Sequence, residues 1–295
     1  MNIPDSDQKN HSSIIIICGP PRSGTTWLYR ELCGIPGAFP FLPECTYLTQ
    51  QIALYHRTQH FGDRQRTTAY FGTENELREY FRANTARLID LVVRLNRKDA
   101  ADILILKDPD LSLYLADVKE LLPPHKLIVL MRDPRDVLAS MKIVTMRKQQ
   151  HWNARKEAED LMNYYYQIGH YRPHFGTDSI LVHYEDLVRG KTTALQEFLQ
   201  LPALELGLSD NAVSDVKDRL DPADPFYSEL YLKPTTTEKV GSFASILTKK
   251  EIRDFETEHS GVIKQWGYPL FSLKTQVMSA FARAIRGSPH AGKGQ

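Results

Sequence analysis

Residues 13–18, SIIIIC, are apolar after the first position and run straight into the turn-forming stretch GPPRSGTT. A strand of this kind has no polar face to offer water, so both of its faces must be covered. The pattern recurs in DILIL (Asp102–Leu106), KLIVLM (Lys126–Met131) and SILVHY (Ser179–Tyr184). Between these runs, Thr25–Cys33 reads as a helix closed by Gly34. Leu111–Leu122 and Arg135–Val144 carry apolar residues at three- and four-residue intervals, and Ala154–Ile168 reads as a further helix. Buried strands alternating with amphipathic helices predict an α/β protein with a parallel sheet covered on both faces.

The remaining segments say less. Gly34–Phe71 holds prolines at 36, 40 and 43 and many aromatics, and reads as loop with short helices. Past residue 201 the strand signals fade into helical patches and a proline-rich loop, Asp221–Pro234. We expect a flexible segment at 1–12, one domain over 13–272, and a packed terminal helix followed by a disordered tail over 273–295. A chain of 295 residues with 42% hydrophobic content suffices for one large core. Its 37 basic and 36 acidic residues nearly cancel, which gives no reason to expect nucleic acid or an anionic bilayer as partner. No stretch approaches the roughly 18 apolar residues of a membrane span, and the first residues lack the apolar segment of a signal peptide. Cys18, Cys33 and Cys45 lack metal-ligand spacing and suit reduced thiols. A cytoplasmic location is the expectation.

Ligands of doubly wound sheets bind beyond the carboxyl ends of the strands. The four strand ends lead into Gly19 and the Arg22–Thr26 turn, Lys107, Arg132 and Tyr184. Three of these junctions carry a cation, and one opens a helix whose amino-terminal amides and dipole add to the positive field, so the crevice suits a multiply charged anion. Gly19 and Gly24 have the spacing of the Walker loop G-x-x-x-x-G-K-[ST], and Thr26 fills its hydroxyl position. Thr25 stands where that loop has lysine, which disfavours a magnesium-dependent kinase or GTPase. Arg22, Ser23, Gly24, Thr25 and Thr26 are instead placed around a single phosphate, which charge-assisted bonds of about 1.5–3 kcal/mol hold without metal. His56/His60 and His170/His174 have the i, i+4 spacing of zinc ligands, but neither lies in a His-Glu-x-x-His motif and Pro173 interrupts the second. No metal site is assigned.

PPRSGTTWL resembles the 5′-phosphosulfate loop of sulfotransferases that use 3′-phosphoadenosine 5′-phosphosulfate (PAPS). RDPRDVLAS is similar to their 3′-phosphate motif, with Ser140 eight residues after Arg132. HYEDL and the late EKVGSFASILTKKEI extend the resemblance over about residues 13 to 270. It implies a three-layer α/β/α, P-loop-NTPase-like fold, no required metal, release of 3′-phosphoadenosine 5′-phosphate (PAP), and sulfuryl transfer to a hydroxyl or amine, expected on a small molecule. It further implies that Arg132 and Ser140 read the 3′-phosphate, Tyr184 contacts adenine, and Lys239, Gly241 and Ser242 cover the 3′-phosphate. Trp27 sits beside the loop where its face could stack on a ligand or join the core. The steroid and phenol branches carry a histidine base where this chain has Lys107-Asp108-Pro109; other branches use a glutamate after the first helix, here Glu44. Glu44 is the candidate base with Asp108 as runner-up, and Lys107 and Arg22 are the candidates to stabilise the leaving group. Tyr47–Phe71 and Asp221–Tyr231 are expected to border the acceptor pocket. A homodimer is left open, and so are two other classes, a kinase of a small metabolite and a catalytically silent nucleotide-binding protein.

Overall fold

The computed structural model describes residues 13–97, 101–202, 204–206 and 237–271. The expectations for 1–12, 273–295 and the loop at 221–234 fall outside them. Four strands, β1 (Ser13–Cys18), β2 (Ile103–Lys107), β3 (Lys126–Met131) and β4 (Ser179–His183), form one parallel sheet in the order β2-β1-β3-β4. Helices are α1 (Thr25–Cys33), α2 (Thr46–Phe61), α3 (Arg64–Phe71), α4 (Glu74–Asn96), α5 (Leu115–Leu121), α6 (Pro134–Arg147), α7 (Ala154–Tyr171), α8 (Tyr184–Leu187), α9 (Thr193–Leu199), α10 (Phe243–Ile246) and α11 (Lys249–Gln265).

The period of two along the strands separates two cores. Ile14, Ile16 and Cys18 face one side with Leu104, Leu106, Leu127 and Val129, where α2, α4, α5, α6, α7 and α11 pack. Ile15 and Ile17 face the other with Ile105, Ile128 and Leu130, against Leu28, Tyr29 and Leu32 of α1 and Leu195 and Leu199 of α9. This is the expected three-layer α/β/α arrangement. β1 lies between β2 and β3, with Ile17 opposite Lys107 and Cys18 opposite Val129. The ends of these three strands are therefore neighbours, one strand spacing of about 4.8 Å apart.

Three elements depart from the sequence reading. Gly34–Phe71 is loop only as far as Cys45; beyond Pro43 nothing breaks a helix until Gly62, and α2 buries Leu48, Ile52 and Tyr55 along one face. α4 occupies a stretch to which the sequence reading assigns no element, although Thr73 caps it through Glu76 N and Leu77, Phe81, Thr85 and Ile89 form a buried row. The predicted helix Leu111–Leu122 is divided into a 3₁₀ turn, Pro109–Tyr114, and α5. Asp108 caps that turn by accepting from Asp110 N at 3.0 Å, and Pro109 sets its first φ, which tightens the chain before α5 begins.

Candidate active site

Between β1 and α1 the backbone takes conformations that few residues tolerate. Gly19 has φ 149°, and a Cβ there would lie 2.1 Å from the carbonyl oxygen of Leu130. Gly24, the residue before α1, has φ 101°, and a Cβ would meet the Tyr184 ring at 2.7 Å. Arg22 is left-handed at φ 66°, where its Cβ crowds the following carbonyl, a feature that clusters at ligand-binding turns. Gly19 N donates to Ser112 Oγ at 2.8 Å, and Ser23 N donates to the carbonyl of Pro20 at 3.1 Å, which ties the loop down. The amides of the first turn of α1 then point out of the helix with no intrahelical acceptor. The Ser23 hydroxyl is fully buried and, among the described residues, has no hydrogen-bonding partner.

Arg132 leaves β3 beside this loop because β3 is the neighbour of β1. Its guanidinium, 7% exposed, lies over the Tyr184 ring with Cζ 4.7 Å from the ring centre. It donates to the carbonyls of Arg22 at 3.2 Å and Lys239 at 2.7 Å, while its buried Nε has no partner among the described residues. Ser140, two turns into α6, accepts from Arg22 Nε at 3.3 Å. Trp27 meets Tyr184 edge to face at 5.7 Å, so the two aromatics and Arg132 form one stack against Gly24, and burial pushes the Tyr184 phenol up from its ordinary pKa. The segment 239–243 is anchored to the same helix. Asp136, 1% exposed, accepts from Gly241 N at 2.7 Å, Phe243 N at 2.8 Å and Ser242 Oγ at 3.3 Å. Arg22, Arg132, Ser140, Lys239, Gly241 and Ser242 are thus gathered at one end of the loop.

At the other end stands Lys107, at the end of β2. Its side chain is 2% exposed, and Nζ donates to Thr26 Oγ1 at 2.9 Å and to Glu44 Oε1. Glu44 is half exposed, precedes α2 and caps nothing, since the residue before that helix is Cys45, whose amide donates to the Lys107 carbonyl at 3.1 Å. Asp108 is occupied differently. It accepts from Thr49 Oγ1 at 2.7 Å as well as from Asp110 N, and burial, partly offset by these bonds, raises its pKa. Asp108 thus ties α2 to the turn that it caps, while Glu44 is the more exposed of the two carboxylates.

Arg135 is not the solvated surface charge that its helical position suggests. It is 3% exposed, forks onto Asp133 at 2.6 and 2.9 Å, and pairs with Glu256 of α11. Tyr165 Oη donates to the Arg132 carbonyl at 2.5 Å, and Glu185 accepts from Asp133 N at 2.8 Å, so the strand-to-helix turn at 132–136 is held from three elements. Of the three tyrosines at 164–166, Tyr165 is core, Tyr164 donates to Asp110 at 2.6 Å and Tyr166 is exposed. Asp136 escaped the sequence reading because its partners lie more than a hundred residues away.

The loop after β1, flanked by cations at the ends of the strands on either side of it and followed by a serine eight residues after Arg132, lies in a stretch that matches one family over most of the chain. Residues 14–205 match the model described as Sulfotransferase family. The chain belongs to the sulfotransferase family. Among curated proteins none matches. Among solved structures, this sulfotransferase is similar to the sulfotransferase domain of the Synechococcus PCC 7002 olefin synthase, at 20% identity and TM-score 0.57, over 92% of this chain and 100% of that one. The sulfotransferase domain from the curacin biosynthetic pathway gives 18% identity and TM-score 0.52, over 88% and 99%. Mouse sulfotransferase SULT7A1 complexed with PAP is matched at 14% identity and TM-score 0.47, over 88% and 90%. At these identities the first two matches establish the shared fold. No helix among the described residues is long and apolar enough to cross a membrane.

Proposed function

We propose that this sulfotransferase is a cytoplasmic enzyme that moves the sulfuryl group of PAPS to a hydroxyl or amine of a small-molecule acceptor. The observation that carries the reading is that two buried polar atoms at the loop, Ser23 Oγ and Arg132 Nε, have no hydrogen-bonding partner among the described residues. An unpaired buried polar group costs on the order of 1–3 kcal/mol, and such groups are tolerated where a ligand satisfies them. The two atoms suit the two anionic ends of the donor. Ser23, Gly24, Thr25, Thr26 and the amides of α1 take the 5′-phosphosulfate; Arg132, Ser140, Lys239, Gly241 and Ser242 take the 3′-phosphate; Trp27 and Tyr184 flank the adenosine. The free cysteines support a reducing compartment, and burial pushes the Cys18 thiol up to about 12, so it is an inert core residue.

The chain Glu44–Lys107–Thr26 supports the assignment of roles in transfer. Glu44 takes the proton of the acceptor as its oxygen or nitrogen attacks sulfur, and the sulfur–oxygen bond to the 5′-phosphate breaks with its electron pair left on that phosphate. Protonation of Glu44 cancels its hold on Lys107. The ammonium is then released towards the phosphate, where charge accumulates, together with Arg22 and the loop amides. One lysine between the base and the loop thus couples proton removal to leaving-group stabilisation.

The test is ligand stabilisation followed by product analysis. PAP should raise the melting temperature without magnesium, whereas ATP with magnesium should do little. Incubation with PAPS and an acceptor panel should yield products heavier by one SO₃. A large magnesium-dependent ATP shift without a PAP shift would replace this reading with a kinase, and silence towards every nucleotide would replace it with a non-catalytic role.

A further inference from the structure

We propose that His56, His60 and Asp117 form a binding site for a divalent transition-metal ion, zinc above all, outside the sulfuryl-transfer cleft. His56 and His60 lie one turn apart on the same face of α2, with ring centres 4.6 Å apart. The sequence places no third ligand near them. The fold supplies one from α5, where Asp117 Oδ2 lies 2.8 Å from His56 Nδ1 across 61 residues of chain. One ligand atom from each residue lies within 4.8 Å of the other two, the one such grouping of three among the described residues.

The chemistry of the set favours zinc. Two imidazoles and a carboxylate, with a water in the fourth position, are an established donor set for tetrahedral Zn²⁺, with bonds of roughly 2.0–2.2 Å. Ligand atoms in such a tetrahedron are about 3.4 Å apart, so the widest pair must close by up to about 1.4 Å while His56 Nδ1 and Asp117 Oδ2 open from 2.8 Å. His60 is exposed and free to make that movement by a change of rotamer. Asp117 is fixed. It is 4% exposed, and among the described residues His56 is its side chain's hydrogen-bonding partner. Tyr114, with its ring centre 5.3 Å from that of His56, packs beside the group, which opens to solvent on the side of His60.

Such a metal would clamp α2 to α5. α2 starts beside Glu44 and carries Thr49, the partner of Asp108, and α5 follows the turn that Asp108 caps. Thr49 and His56 are seven residues apart, about 10 Å along the helix, so the clamp fixes the wall behind the cleft without entering it.

The experiment uses the tag-free full chain stripped with chelator. Calorimetric titration with ZnCl₂ should give one equivalent, and Co²⁺ should develop visible d–d bands of four-coordinate intensity. Saturating Zn²⁺ should raise the melting temperature by several degrees. His60→Gln, an exposed substitution, should weaken Zn²⁺ binding at least tenfold; Asp117→Asn should do the same if it folds. His170→Gln should change nothing, because that pair, with ring centres 6.3 Å apart, belongs to no such three-ligand group among the described residues. The proposal is overturned if Zn²⁺ does not bind, if Co²⁺ shows only the weak spectrum of the hydrated ion, or if His60→Gln binds as the native chain does. None of these readouts depends on the donor or acceptor.

Discussion

Arg132→Ala tests the donor assignment most directly, because its cost should fall on one phosphate. This guanidinium spends two nitrogens on the Arg22 and Lys239 carbonyls, and its Nε has no partner among the described residues. A 3′-phosphate satisfies Nε and shares a second nitrogen, which makes two charge-assisted bonds of about 1.5–3 kcal/mol each. The bonds to the carbonyls weaken in exchange, so the net loss on truncation should be about 3–4 kcal/mol. At about 1.4 kcal/mol per tenfold, PAP should bind some hundreds-fold more weakly. The stack on Tyr184 is lost with and without ligand, so it largely cancels from the binding difference. Adenosine 5′-monophosphate, which lacks the 3′-phosphate, should lose no more than about tenfold. Calorimetric titration of both nucleotides at one fixed salt concentration measures the ratio, with Arg132→Lys expected to recover only part of it because an ammonium lacks the planar fork. If both nucleotides weaken equally while the circular dichroism spectrum is unchanged, Arg132 does not read the 3′-phosphate and the donor orientation argued above is wrong.

Three further predictions concern the base and the fold. Glu44→Gln should leave PAP affinity within a few-fold and cut turnover by about 10²–10⁴, whereas Lys107→Met should also cut turnover and flatten the benefit of Glu44, so the double variant should lose much less than the product of the two; additive losses in steady-state assays would disprove their coupling. Arg135→Ala should destabilise the protein by roughly 3–5 kcal/mol in urea titrations, since it strands the buried Asp133 and Glu256 carboxylates, and a loss under about 1 kcal/mol would contradict their burial as a paired set. Glu251 is held down to about 2: burial opposes ionisation, but bonds from Lys142, the Thr248 backbone and side chain and Trp152 prevail. Because its folded pKa lies below the unfolded one, its contribution to stability is present above about pH 4.5 and is lost as pH falls towards 2. Glu251→Gln should therefore flatten the urea midpoint between pH 6 and pH 3, and an unchanged acid limb would show that another carboxylate dominates.

What could be read from the sequence and what could not divide along the range of the interactions. β1 and β3 are legible to the residue because an apolar run bounded by Gly19 or Arg132 announces a buried strand locally. The ends of β2 and β4 shift by one residue because the ladder, not the composition, decides where pairing stops: Lys107 is in register with Ile17, and the amide of Asp108 still reaches the Ile17 carbonyl at 3.3 Å. α2 was obscured by the prolines and aromatics ahead of it, though its buried residues have ordinary helical spacing. Arg22–Thr26, Arg132 and Ser140, the residues proposed here for the donor, could be singled out because they lie just after a strand or in the first turns of the helix that follows it, whereas Lys239, Gly241 and Ser242 follow no strand and came only from the family resemblance. Asp136, Arg135 and Asp117 were not legible, since the groups that give them meaning come from Phe243, Glu256 and His56, and a buried charge declares itself only once its partner has been brought to it. The strand order adds the last constraint. With β1 between β2 and β3, Lys107 and Arg132 must flank the loop from opposite sides, so the separation of Glu44 and Lys107 at one end from Arg132 and Ser140 at the other follows from the sheet, before any side chain is placed.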